Sequence, residues 1–91
     1  MKYEFSKPFT FEGKEYKEIE LDYDGLDGSD VEAVLTQIEI AVRRNPKGFP
    51  VSSTWKFYAA RAGKLPVEFF TKLPAKEYLK LSRMTNSFLE G

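Results

Sequence analysis

Apolar and polar residues alternate over residues 3–11, with Tyr3, Phe5, Phe9 and Phe11 on one parity and Glu4, Ser6 and Thr10 on the other. A period of two with aromatic residues predicts a half-buried strand. Lys7-Pro8 interrupts it; proline has no N–H for a ladder, so this strand is expected to be an edge or to bend there. Glu12-Gly13 supplies a tight turn. Tyr16, Ile19, Leu21 and Tyr23 then predict a second strand over residues 15–23, with a change of parity between Tyr16 and Ile19 that reads as a bulge near Lys17 or as Tyr16 packing on the outer face. A hairpin alone is marginal in water, so helices must cover its apolar face.

The period changes after the loop Asp24-Gly25-Leu26-Asp27-Gly28. Ser29 and Glu32 have the spacing of a capping box. Val31, Val34, Leu35, Ile38, Ala41 and Val42 follow at helical intervals, which predicts an amphipathic helix over about residues 30–44. Arg43 and Arg44 suit its negative C-terminal end, and Asn45-Pro46 stops it. Ser52 or Ser53 can cap a further helix that runs to Ala62, with Gly63 as its C-cap. Its apolar stripe is Trp55, Tyr58, Ala59 and Ala62, and Phe57 lies off it. Leu65-Pro66 opens a short helical turn through Phe69 and Phe70. Leu73-Pro74 opens the last helix, over about residues 74–89, with Tyr78, Leu81, Met84 and Phe88 on one face.

The pattern predicts one α+β domain over residues 1–91: an N-terminal antiparallel β-hairpin packed on three to four α-helices. Its core is expected to gather Phe5, Phe9, Phe11, Ile19, Leu21, Leu35, Ile38, Leu81 and Phe88.

Composition narrows the chemistry. The chain has no cysteine and no histidine, so thiolate metal sites, disulfides, cysteine nucleophiles and histidine bases are excluded. Lys plus Arg and Asp plus Glu are 14 each. That balance gives no net field to attract phosphate backbones. The run Met1-Lys2-Tyr3-Glu4-Phe5 lacks the apolar stretch of a signal peptide, and no segment is apolar enough for a membrane span. The chain is therefore expected to stay in the compartment where it is made, with no membrane contact. Asp22, Asp24, Asp27 and Asp30 do not fit a calcium loop. From Asp22, its fifth and sixth positions hold Leu26 and Asp27, and its closing glutamate position holds Ala33. No convergent set of catalytic side chains stands out, so a non-enzymatic protein with no cofactor and no metal is expected.

The aromatic residues carry the functional expectation. Eight Phe, five Tyr and one Trp are many large side chains for 91 residues. Phe49 lies in a Pro/Gly loop, Phe57 is off its stripe, and adjacent Phe69 and Phe70 cannot share one side of a helix. Exposed aromatic residues mark protein interfaces, so Phe49, Trp55, Phe57, Tyr58, Phe69 and Phe70 are the candidate partner-binding residues. The segment Trp55-Lys56-Phe57-Tyr58, with Arg61 and Lys64, could alternatively stack bases.

Two stretches resemble a known family. Ser6 to Ile19, with Lys7-Pro8, Phe11-Glu12-Gly13-Lys14 and Glu15-Tyr16, is similar to the opening of phage tail assembly chaperones. Ala59 to Phe70, Leu73 to Tyr78 and the closing Ser87-Phe88-Leu89 are similar to their later part, where a helix ends in glycine, a turn follows and a final helix closes. Ala75-Lys76-Glu77 departs from the family by shifting an acidic residue, and Pro46 to Ser53 has no counterpart. The resemblance implies a protein that coats the tape measure protein and helps recruit major tail protein during tube assembly. It implies action in the host cytoplasm, absence from the mature virion, and for many members a longer frameshifted product. Self-association, but no nucleic acid or membrane, is expected among its contacts. A small nucleic-acid-associated regulator and a structural tail component are the alternatives.

Overall fold

The computed structural model describes residues 1–45, 47–48 and 51–91. Strands β1 (Lys2–Phe11) and β2 (Lys14–Glu20) form an antiparallel hairpin. Four helices follow: α1 (Gly28–Arg44), α2 (Trp55–Gly63), α3 (Val67–Thr71) and α4 (Ala75–Glu90), with a 3-10 turn at Val51–Ser53 before α2. The α+β hairpin-and-helix architecture matches the sequence pattern.

The hairpin turn is tighter than its residues favour. Glu12 and Gly13 both have positive φ, 50° and 79°. That is the signature of the turn type whose twist matches its strands, and Asn-Gly fills it best. Glu12→Asn should therefore raise stability by about 0.5 kcal/mol, read as a higher urea midpoint at unchanged m-value.

The ladder breaks beside Lys17, as expected, but the extra residues lie in β1 and not in β2. Tyr3 pairs with Ile19 and Phe9 with Tyr16, and the register shifts between Glu4 and Phe9. The break surrounds Pro8, which cannot donate to the ladder. It lies opposite the Tyr16–Ile19 parity change and lets Tyr3, Phe5, Phe11 and Ile19 all be buried, with Phe9 and Tyr16 packed against them.

Helix α1 starts earlier than expected. Asp27, not Ser29, is its N-cap: its carboxylate accepts from the Asp30 N–H at 3.1 Å, and the Asp30 carboxylate accepts from the Asp27 N–H at 3.0 Å. Two carboxylates thus make the reciprocal box. At the far end of α2 the left-handed residue is Lys64 (φ 54°), one position beyond the expected Gly63. Gly63 is needed for close approach instead, since a Cβ there would lie 2.8 Å from Leu21 Cδ2.

The core centres on α3. Phe69 and Phe70 are both 0% exposed. The Phe69 ring meets Phe9, Phe11 and Tyr16 of the hairpin edge-on, at centroid distances of 5.2, 5.3 and 4.9 Å. Phe70 turns the other way and meets Trp55 of α2 at 5.8 Å, and Trp55 in turn meets Tyr78 of α4 at 5.0 Å. Leu21, Val34, Leu81 and Thr85 are likewise fully buried.

Helix α1 packs on α2, not on the hairpin as expected. Val34 is its buried residue, and the Arg61 guanidinium donates to the Asp30 carboxylate at 2.6 Å to tie the two helices. Two expected core residues are therefore at the surface: Leu35 is 52% exposed and Phe88 is 43% exposed. Ile38 is half-buried. Phe88 still rests on Tyr23, at a centroid distance of 4.9 Å.

Candidate functional site

The aromatic residues expected to bind partners are mostly core. Trp55, Phe69 and Phe70 are at most 1% exposed, Phe57 is 8% exposed, and Tyr58 is half-buried against the core. Phe49 lies outside the described residues. The argument from capacity failed because α3 is sandwiched. Neighbouring residues on a helix point about 100° apart. Phe69 and Phe70 therefore serve two layers of core, and neither is left over. A buried ring cannot anchor a partner in this conformation, so Trp55, Phe57, Phe69 and Phe70 are not exposed anchors.

The exposed apolar surface is on the outer helices. On α1, Val31, Leu35 and Val42 are exposed and recur at helical spacing, with half-buried Ile38 completing the row. Intervals of four, three and four residues make one stripe along a 17-residue helix. The stripe lies beside the Val34 side that meets α2, so α1 carries a second, exposed apolar face next to the buried one. Glu32 and Glu39 flank the stripe, and Glu39 also pairs with Arg43 one turn on. Sequence reasoning placed Leu35 and Ile38 of this row in the core. The signal that could have found them is the width of the pattern: Val31, Val34, Leu35, Ile38, Ile40, Ala41 and Val42 cover more of the helix than one neighbour can bury.

On α4, the inner face buries Glu77, Leu81 and Thr85, while Leu79 is 55% exposed on the outer side. Lys76, Lys80 and Arg83 line a groove of about 310 Å³ together with Ser6 and Glu77. The ion pairs among the described residues do not include these three cations.

Glu77 is the buried acid of this region. Its carboxylate accepts from the Tyr3 hydroxyl at 2.5 Å, the Ser6 N–H at 2.9 Å and the Ser6 hydroxyl at 3.1 Å. Burial pushes its pKa up, but these donors and the Lys80 charge outweigh burial and hold it below the ordinary value. The same contact, after burial itself, raises Tyr3. Glu77 thus fastens α4 to the irregular part of β1, and its hydrogen-bonding capacity is committed. Tyr23 and Thr85 share a second buried tie, 2.5 Å between hydroxyl oxygens.

The aspartates before and within α1 are also engaged locally. Asp22 accepts from the Gly25 N–H, Asp27 caps α1, and Asp30 pairs with Arg61. Among the described residues no group of three or more acidic side chains gathers as a metal site would require, and no helix is long and apolar enough to cross a membrane. Comparison with protein-family models, with curated proteins and with solved structures finds no match to this chain.

Proposed function

We propose that the protein is a non-enzymatic phage tail assembly chaperone, which holds apolar helical faces of the tape measure protein and helps recruit major tail protein while the tube grows. The observation that carries this reading is the stripe Val31–Leu35–Val42, an exposed apolar face of α1. Exposed apolar rows of this kind receive an amphipathic helix through anchors at i, i+4 and i+7 spacing. A long client offering repeated faces would hold many copies by avidity while each contact stays weak enough to exchange. The similarity of the Ser6–Ile19 and Ala59–Leu89 stretches to that family supports the same reading. The place of action is then the host cytoplasm, and the finished virion lacks the protein.

Co-expression with the tape measure protein of the same genome tests this. Leu35→Asp combined with Val42→Asp should reduce co-purification at least tenfold, since hydrophobic anchors of an interface are each worth about 2 kcal/mol. The circular dichroism spectrum should not change, because both side chains are exposed. Undiminished co-purification of the folded double variant would move the client site away from α1. Absence of any wild-type complex would remove the chaperone reading itself.

A further inference from the structure

We infer that the α1 stripe of one copy docks against the outer face of α4 of a second copy, in an antiparallel, charge-matched helix pair. Leu35 and Leu79 are more than half exposed, at 52% and 55%. Each lies between two charges seven residues apart: Glu32 and Glu39 around Leu35, Lys76 and Arg83 around Leu79. Seven residues are two helical turns, about 10.5 Å, so the acidic pair and the basic pair have the same spacing. In both helices the charges lie on the same rotational side of the leucine.

That common handedness decides the orientation. In a parallel pair, flanks of the same hand fall on opposite sides of the seam. In an antiparallel pair they fall on the same side and meet. With Leu35 across from Leu79, Glu32 then faces Arg83 and Glu39 faces Lys76. The basic side chains add their aliphatic stems to the apolar contact. Beyond this span Arg43 runs past the N-terminal end of α4 at Ala75. The 17 and 16 residues of α1 and α4 give each helix about 25 Å of length for the contact.

The contact pairs two different faces of the chain. A copy that offers α1 still carries its own α4, so the association closes reciprocally as a two-fold dimer or, where both contacts cannot form at once, extends or closes into a ring. The α1 face is also the one assigned above to the client, so a neighbour's α4 covers it when no client is present. The self-contact rests on the charge pattern and not on the identity of the client.

Sedimentation velocity of the purified chain alone tests it, without any tail protein. The wild type should associate with rising concentration, and more weakly as salt is raised, because exposed charges are screened. Glu32→Lys with Glu39→Lys, and separately Lys76→Glu with Arg83→Glu, should each sediment as a monomer. An equimolar mixture of the two variants should recover the association, since each then meets its opposite charge. A monomeric wild type, variants that associate as the wild type does, or a mixture that stays monomeric would each overturn the inference. Co-purification with the tape measure protein is read separately, with Leu35→Asp and Val42→Asp, so failure of one reading is distinguished from failure of the other.

Discussion

Phe69→Ala is expected to cost about 3–5 kcal/mol, which is a large part of the stability of a domain this small. Phe69 is 0% exposed, and the short helix α3 carries its ring against the rings of the hairpin. Its ring touches Phe5 at 6.3 Å in addition to Phe9, Phe11 and Tyr16. Both strands therefore converge on one side chain. Removing it strips the transfer free energy of the ring and leaves a cavity walled by rings that are themselves held by β1 and β2. Those walls cannot close in without disturbing the ladder, so little of the cavity will collapse. Urea unfolding followed by tryptophan fluorescence gives the measurement, because Trp55 is also buried, on the far side of Phe70. Leu35→Ala is the control. It is expected to change stability by no more than about 0.5 kcal/mol, as a surface position does. If Phe69→Ala melts with the wild type while Leu35→Ala does not, the assignment of core and surface is inverted.

That pair of variants marks where the sequence was legible. The hairpin could be read because each of its signals is local: alternation over Tyr3 to Phe11, the Glu12-Gly13 turn and the proline that breaks the ladder. The existence of α1 and α4 could be read for the same reason, from helical spacing and chain-breaking residues at their ends. The N-cap was misplaced by two residues because Asp27 and Ser29 both precede an acid three positions on, and only the backbone chooses between the two frames. What stayed hidden was which face of α1 turns inward. Val34 and Leu35 are adjacent and equally apolar, and periodicity supports either as the centre of a buried stripe. The choice is made by α2, through Arg61 reaching Asp30, and no local pattern contains that contact. The candidate interface failed by the same route. Counting aromatics assumes a single layer of core, whereas α3 creates two.

Glu77→Gln is expected to lower stability at neutral pH by about 2–3 kcal/mol and to flatten the acid limb of the stability profile. The carboxylate receives three donors, the Tyr3 hydroxyl and both the N–H and hydroxyl of Ser6. An amide has one acceptor oxygen and turns its NH2 group toward one of these donors, so at least one buried bond is lost and a donor faces a donor. The pH effect has a definite sign. The folded-state pKa of Glu77 lies below its ordinary value of 4.5. The folded state thus favours the ionised form, and the stability this confers is complete above the ordinary value. It falls away as the pH drops through the lowered value, when protonation turns an acceptor of three bonds into a partial donor. The wild type should therefore lose stability as the pH falls below the ordinary glutamate value, where the glutamine variant, which cannot titrate, should lose less. Tyr3→Phe removes one of the three donors and should shift the same limb toward higher pH. Measurement is by urea midpoints at a series of pH values for all three proteins. Equal slopes in wild type and Glu77→Gln would show that the tie between α4 and β1 is not what acid breaks, and the remaining carboxylates would have to account for it.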